Sequence, residues 1–378
     1  MPFDLTEEQR RLFEETRRRA RSDLIAIAET GAPGRVNRAL VKALGDLQVL
    51  PRLWPRRVGG LCDGEVSALE VCLLREALAC ESPDAETALA LQGLGAYPIL
   101  KHGRAEEVER WVPAVVRGEA VPAFALTEPS AGSDAAALEL KADRDGDGFR
   151  LTGEKTWISN APDADVYTVF ARTTHGAGAR GVTAFAVAGD EPGMSGESLS
   201  TVDDHPIGTV IFDGVAVGPE AVLGEINAGF AVAMSTLDLF RPSVGAAAVG
   251  MAQVALETAV DHAGQRAAFG KPIREFQAIS HQLADMATRI AAARLLVYRA
   301  AAAYDSGEPA VTQTSAMAKL FATETAQWAV DAAIQVHGAA GLERGHVLEH
   351  LYRVVRALRI YEGTSEIQRE IIARELYR

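Results

Sequence analysis

Three stretches of this 378-residue chain bring together residue types that chemistry can use. The first runs Ala123-Phe124-Ala125-Leu126-Thr127-Glu128-Pro129-Ser130-Ala131-Gly132-Ser133-Asp134, a strand leaving into a loop of small residues that lets a ligand approach backbone amides. On spacing alone an ordinary turn is the simpler reading. The second, Gly153-Glu154-Lys155-Thr156-Trp157-Ile158-Ser159-Asn160, sets an indole and a hydroxyl together at a strand end, although a strand tryptophan more often packs in a core. The third joins Leu351-Tyr352-Arg353 to Ile360-Tyr361-Glu362-Gly363-Thr364-Ser365-Glu366-Ile367-Gln368. Ser365 and Gln368 read as a capping box, which puts Glu362 in the loop before a terminal helix. A glutamate there is equally a surface charge favoured by the helix dipole.

These stretches need elements to hold them. Thr6 and Gln9 form a capping-box pattern, and Leu5, Leu12, Phe13 and the run around Leu24 follow helical spacing. Val66 to Cys80 and Glu106 to Val116 continue in helix formers, broken at Gly59-Gly60 and at Tyr97-Pro98, so residues 1–121 are expected to be a helical domain. From Ala123 short runs alternate with Gly, Asp, Pro and Thr: Phe149 to Leu151, Val166 to Ala171, Val182 to Val187 and Thr209 to Phe212. They predict a compact antiparallel sheet or small barrel over 122–225. Beyond Phe230 the chain is Ala-rich and helical through 226–378, with Pro242 starting or kinking a helix and Gly270 and Pro272 marking a break.

Composition narrows the chemistry. A formal charge of −13 disfavours nucleic acid, whose binding needs clustered cations. Cys62, Cys72 and Cys80 make no C-x-x-C pair, so neither a disulfide scaffold nor a thiolate zinc site is expected, and a reducing cytoplasm fits. The start, Met1 to Gln9, carries acids where a signal peptide is basic, and no uncharged stretch looks fit to cross a bilayer. Asp143, Asp145, Asp147, Gly148 and Glu154 satisfy a calcium-loop template, yet their flanks are strand-like and Arg150 stands at its eighth position. No metal is expected, because none of the eight histidines forms an H-E-x-x-H or comparable pair; His281 and His337 read as structural or ligand-side residues.

Taken jointly the motifs are specific. The L-T-E-P-x-A-G-S-D loop, the G-x-K-x-W-I-S-N strand, Arg266-x-x-Phe269-Gly270, Phe276-Gln277, Gln335-x-His337-Gly338 and Y-E-G-T-S-E-I-Q stand in the order and spacing of the acyl-CoA dehydrogenase family, which the chain resembles from about Phe3 to Leu376. The resemblance implies an α+β multidomain fold: an N-terminal α-helical domain, a middle β-barrel domain and a C-terminal four-helix bundle. It implies FAD, with Phe124, Leu126, Thr127, Ser133, Trp157, Ile158 and Ser159 along the flavin ring and the Ser159 hydroxyl near N5. Arg266, Phe269, Gln277, Gln335, Gly338 and Ala339 would hold the pyrophosphate and adenosine, partly from a neighbouring subunit of a homotetramer, and Thr364 and Glu366 would complete the site.

By the same resemblance Glu362 is the base that takes the α-proton of an acyl-CoA thioester, while the β-hydride goes to flavin N5. The enolate donors are then a flavin ribityl hydroxyl and the Glu362 backbone N–H. Ser133, Asp238, Arg241, Tyr361 and Gly363 would contact substrate. Some relatives carry the base directly before an arginine on an earlier helix, where this chain has Phe240, a residue expected to shorten the acyl pocket. Burial would raise the Glu362 pKa and a nearby helix amino terminus would lower it, and sequence leaves that balance open. Two departures stand out: Ala339 replaces a second glycine, and Asp203-Asp204-His205-Pro206-Ile207-Gly208 is shorter than the family's loop. The implied partner is an electron-transferring flavoprotein. Two alternatives remain within the fold: a desaturase of carrier-protein-tethered acyl or aminoacyl thioesters, and a flavin oxidase or monooxygenase.

Overall fold

The structure, a computed structural model, describes residues 5–377. Met1 to Asp4, part of the acidic start read against a signal peptide, lie outside the described residues. In chain order the α-helices are α1 (Glu7–Arg19), α2 (Ile25–Ala28), α3 (Arg38–Asp46), α4 (Ala68–Ala79), α5 (Pro83–His102), α6 (Ala105–Val116), α7 (Gly229–Gln265), α8 (Gln277–Asp305), α9 (Val311–His337), α10 (Val347–Leu358) and α11 (Ser365–Glu375). The strands are β1 (Pro122–Ala125), β2 (Lys141–Asp145), β3 (Gly148–Ser159), β4 (Val166–Arg172), β5 (Val182–Ala188), β6 (Met194–Ser198), β7 (Ile207–Val217), β8 (Val222–Leu223), β9 (Ala267–Ala268) and β10 (Lys271–Pro272).

The expected order of helices, sheet and helices is what the chain forms. Thr6 accepts from the Gln9 N–H while the Gln9 side chain returns to the Thr6 N–H, the expected capping box. Neither proline bounds its helix: α5 runs through Pro98, where a break was expected, and α7 through Pro242, which therefore does not start it. Both are buried in helices whose neighbouring apolar residues are buried too. Several side chains at about 1.5–3 kcal/mol of burial each outweigh the roughly 3 kcal/mol that an interior proline costs.

The chain separates into two compact units. One comprises Asp23–Val66 and Thr87–Leu237 and contains an eight-stranded sheet ordered β6-β7-β3-β2-β4-β5-β8, with β1 added to β4. Most pairs are antiparallel as expected, but β1 pairs β4 in parallel, Pro122 opposite Val166 and Ala125 opposite Val169, so the sheet is mixed. β4 and β5 are buried along their whole length, which explains why they read as unbroken apolar runs. α5 lies close to the sheet at Gly95, where an added Cβ would sit 2.8 Å from Pro122, and Thr168 on β4 donates to the Gly95 carbonyl at 2.8 Å. Asp143, Asp145 and Gly148 belong to the β2–β3 hairpin, with Asp145 paired to Arg150, and no cluster able to hold a metal occurs among the described residues.

The other unit comprises the chain up to Ser22, Ser67–Glu86 and everything from Asp238. α4 packs on α1 and α8, and α9 packs on α8, α10 and α11. Glycine lets α7 approach closely: a Cβ at Gly245 would lie 2.7 Å from Val297, and one at Gly250 would lie 2.5 Å from the Glu76 carbonyl. By length and composition α7 is long and apolar enough to cross a membrane, which corrects the sequence reading, but 67% of its apolar window is buried within the protein. A core helix has that property.

Candidate active site

Glu362 sits between α10 and α11 with φ at 51°, and Gly363 follows at 93°. Two successive left-handed residues are unusual, and for glutamate the conformation costs on the order of 1–2 kcal/mol, so the surroundings must impose it. They do so through the two carbonyls. Gln368 Nε2 donates to the Glu362 carbonyl at 3.1 Å and to that of Gly363 at 2.9 Å. Arg241 Nε reaches the Glu362 carbonyl at 3.3 Å, and Lys319 Nζ reaches that of Gly363 at 2.7 Å. The φ of Gly363 favours glycine, and a Cβ there would lie 2.6 Å from Gln368 Nε2 and displace that amide. The Glu362 N–H makes no hydrogen bond among the described residues, which leaves a donor free beside the carboxylate.

The capping box expected on Ser365 is not formed. Thr364 is the N-cap and accepts from Ile367 N–H at 3.3 Å, whereas the Ser365 hydroxyl donates to Glu324 Oε1 at 2.6 Å. Both hydroxyls suit an N-cap, and the left-handed turn before them starts the helix one residue after Thr364.

The residue as a whole is half-buried, but Oε2 of Glu362 is sealed from solvent and has no hydrogen-bond partner among the described residues. Burial pushes its carboxyl above the ordinary glutamate range, against the downward pull of Arg75, Lys319 and Arg241 and with a further push from Glu86. Burial is the largest of these influences, and the net direction is upward. Arg75 is itself buried, held by Glu86 at 2.5 Å and by Ser243 Oγ at 2.7 Å. Ser243 donates onward to the Phe240 carbonyl at 2.6 Å, and the Phe240 ring is fully enclosed. Asp238 accepts from Arg241 at 3.3 Å and from the Thr312 hydroxyl at 3.1 Å; burial raises its pKa. Tyr361 and Gly363 are half-buried neighbours of the base.

Sequence reasoning found Glu362, Arg241, Asp238 and Phe240 but missed Arg75, Glu86, Lys319 and Gln368. The available signal was charge inside apolar helices: Arg75 interrupts a run of buried residues on α4, and Lys319 does the same on α9.

In the sheet-containing unit, the Leu126 to Asp134 loop is fastened by a buried ion pair. Lys155 Nζ contacts Glu128 Oε1 at 2.7 Å and the Leu126 carbonyl at 2.9 Å, while Glu128 also accepts from the Glu139 and Leu140 N–H groups at 2.6 and 2.9 Å. Burial outweighs the pull of Glu128 and lowers the Lys155 pKa to about 8. Thr127 is tied to β3 through its carbonyl and the Thr156 N–H at 3.0 Å. The β3–β7 register shifts between Lys155 and Ile158, and within that bulge Trp157 takes φ at 57° and leaves its side chain 56% exposed.

Ile158 and Leu126 are buried. Phe124 is half-buried against Phe170, with ring centroids 4.9 Å apart, and Ser133 is exposed. The Ser159 hydroxyl lies 2.8 Å from His205 Nε2, a partner supplied by the short 203–208 segment and not foreseen.

The residues assigned by resemblance to the pyrophosphate and adenosine all lie in the helical unit. Arg266, Gln277, Gln335, Gly338, Ala339 and Glu366 are exposed, and Thr364 is spent as the α11 cap. Phe269, at the tip of the β9–β10 hairpin with φ at 51°, is 96% exposed. At the Gly-Ala pair the positive φ, 65°, falls on Gly338, so Ala339 meets no backbone requirement that only glycine satisfies. His281 is exposed, whereas His337 stacks on His262 at 4.2 Å. Within the sheet-containing unit, an indole pushed outward on a left-handed residue at the end of β3 fits the face of a planar organic cofactor.

Three family models cover nearly the whole chain: the acyl-CoA dehydrogenase N-terminal domain over residues 6–119, the middle domain over 123–215 and the C-terminal domain over 227–377. A 3-(aryl)acrylate reductase of Clostridium sporogenes is 44% identical over 282 residues, 74% of each chain. A cyclohexane-1-carbonyl-CoA dehydrogenase of Geobacter metallireducens is 36% identical over 99% of this chain and 98% of its own length. The caffeyl-CoA reductase-Etf complex subunit CarC of Acetobacterium woodii is 38% identical over 84% of each. Among solved structures, butyryl-CoA dehydrogenase from Megasphaera elsdenii superposes with a TM-score of 0.94 at 34% identity, each chain fully covered.

Proposed function

This chain belongs to the acyl-CoA dehydrogenase family, and we propose that it is an FAD-dependent oxidoreductase that removes two hydrogens from the α and β carbons of an acyl-CoA thioester, with Glu362 as the base. The observation that carries the reading is the sealed, unpartnered Oε2 of Glu362, raised in pKa by burial yet ringed by Arg75, Arg241 and Lys319. A carboxylate in water is too weak a base for an α-hydrogen. One stripped of water and hydrogen-bond donors has no solvation to lose on taking a proton, and the surrounding cations keep enough of it ionised to react.

The chain's own groups perform the remaining tasks. Glu362 takes the α-proton at Oε2, and the free Glu362 N–H donates to the thioester oxygen on which negative charge develops. Asp238 and Arg241, held against each other, border the thioester arm, and Phe240 limits the acyl end. FAD, when bound, supplies the acceptor for the β-hydrogen and its electron pair. Trp157, Thr127 and Ser159 would hold its ring, and Phe269, Gln277 and Gln335 its adenosine half.

The acceptor for the electrons is proposed to be an electron-transferring flavoprotein, a reading supported by the Etf-associated subunit among the relatives. Two of those relatives are named as reductases, and by microscopic reversibility the same carboxylate returns the proton in that direction. Anaerobic titration of the purified holoenzyme with a panel of acyl-CoAs tests the assignment. Bleaching of the flavin by one chain-length class is expected, with Glu362→Gln unreactive toward all of them. A flavin that no acyl-CoA bleaches overturns it.

A further inference from the structure

Lys319, one of the cations placed around Glu362 above, makes a contact with the turn that its charge alone does not account for. It lies on α9, fully buried, and its Nζ makes one hydrogen bond among the described residues, to the Gly363 carbonyl at 2.7 Å. That carbonyl already accepts from Gln368 Nε2 at 2.9 Å. A neutral amide therefore suffices to hold the turn, whereas an ammonium taken out of water costs several kcal/mol unless an opposite charge offsets it.

Burial lowers the Lys319 pKa to about 8; among the acids that oppose this Glu362 leads, ahead of Glu324 and Glu366, while Arg241 adds to the lowering. From the other side, Glu362 is faced by Arg75 on α4, Glu86 on α5, Arg241 on α7 and Lys319 on α9. Arg75 is engaged by Glu86 and Arg241 by Asp238. Lys319 is the cation of the three with no carboxylate in salt-bridge contact among the described residues.

We propose, on the reading of Glu362 as the base, that Lys319 is a positioning residue: through the Gly363 carbonyl it fixes the left-handed Glu362–Gly363 turn, and its positive charge keeps the sealed carboxylate ionised between turnovers. Two consequences separate this from a merely structural lysine. Removing the charge moves the protonation of Glu362 to higher pH, by about one unit for a cation at this range in a partly screened interior. Loosening the turn lowers kcat and leaves KM nearly unchanged, because the base is misplaced and the thioester arm is not.

The test uses the holoenzyme with Lys319→Gln, Lys319→Met, Lys319→Arg and Glu362→Gln. One readout is the pH profile of flavin reduction by a reactive acyl-CoA. The other is infrared titration of the carboxylic-acid band that Glu362→Gln removes. In Lys319→Gln and Lys319→Met the acid limb and the infrared midpoint are expected to rise together by about one unit, with kcat down roughly tenfold; Lys319→Arg restores both midpoints. Midpoints in Lys319→Gln that match the wild type overturn the proposal. If neither neutral variant accumulates as folded protein, Lys319→Arg decides: a shifted midpoint despite the retained charge overturns it, and an unshifted one supports it. Flavin reduction that survives in Glu362→Gln refutes the base assignment instead, independently of the lysine.

Discussion

Glu362 combines properties that oppose each other, and the opposition is measurable. Its carboxyl is raised in pKa by burial. A group whose folded-state pKa exceeds its unfolded value holds more protons in the folded chain across that interval, so its contribution to stability is fully present at low pH and is lost as pH rises through the folded pKa. At pH 8 the ionised form therefore burdens the fold. As pH rises from 4 to 8 the melting temperature of Glu362→Gln is expected to gain on that of the wild type, on top of a constant offset from the cations that lose their acid, while its flavin reduction falls by about 10²–10⁴-fold. Calorimetry and stopped-flow spectroscopy on one preparation check both; a difference in melting temperature that does not change with pH contradicts the account. The enclosed Phe240 gives a second test at this scale. Phe240→Gly should raise kcat/KM for longer acyl chains relative to short ones by roughly tenfold or more, and an unchanged chain-length profile removes Phe240 from the acyl pocket. Glu362 was legible because a local motif carries it. Arg75, Lys319 and Gln368 were not, because what matters about them is which carbonyl or carboxylate the tertiary fold sets opposite them.

The strands and helices divide along the same line. β4 and β5 announced themselves through apolar runs, and α1 through its capping box, since both signals are local. Pro98 misled because a proline's cost is local while the burial that offsets it is not. The bulge in β3 was likewise invisible, since a register shift depends on β7. Glu128 stands in the loop read as approaching a ligand, but its own carboxylate is consumed by Lys155 and two backbone N–H groups. Lys155→Met leaves that carboxylate buried without its cation and is expected to cost about 3–5 kcal/mol in denaturant unfolding, with the flavin-to-protein absorbance ratio falling as the loop loosens. Trp157→Ala provides the contrast. Its side chain is largely outside the core, so stability should stay within about 0.5 kcal/mol while flavin is retained more weakly. Equal losses of stability in the two variants would show that the indole serves packing and not the cofactor.

At the scale of the molecule, the helical unit exposes a series of large apolar residues. Leu295 and Leu296 on α8, Phe321 on α9, Leu342 after it, Val347 and Tyr352 on α10 and Ile360 behind them are all exposed. Scattered apolar residues are normal on a monomer, but a concentration of this kind on consecutive helices of one unit marks a surface that is covered by something. The net charge of −13 keeps the chain soluble without covering it. We propose that other copies of the chain do so, as a homotetramer. Sedimentation of the wild-type holoenzyme at micromolar concentration should then give four times the 40.2 kDa chain mass. Placing like charges on the exposed helix faces, with Leu296→Glu and Phe321→Glu together, should drive the protein to smaller species, because each introduced carboxylate would have to be buried without a partner. Both substitutions lie on exposed positions, so the isolated chain should keep its fold and its melting temperature should fall only by what assembly contributes. A wild type that sediments at 40.2 kDa leaves these helices facing water and rules the assembly out.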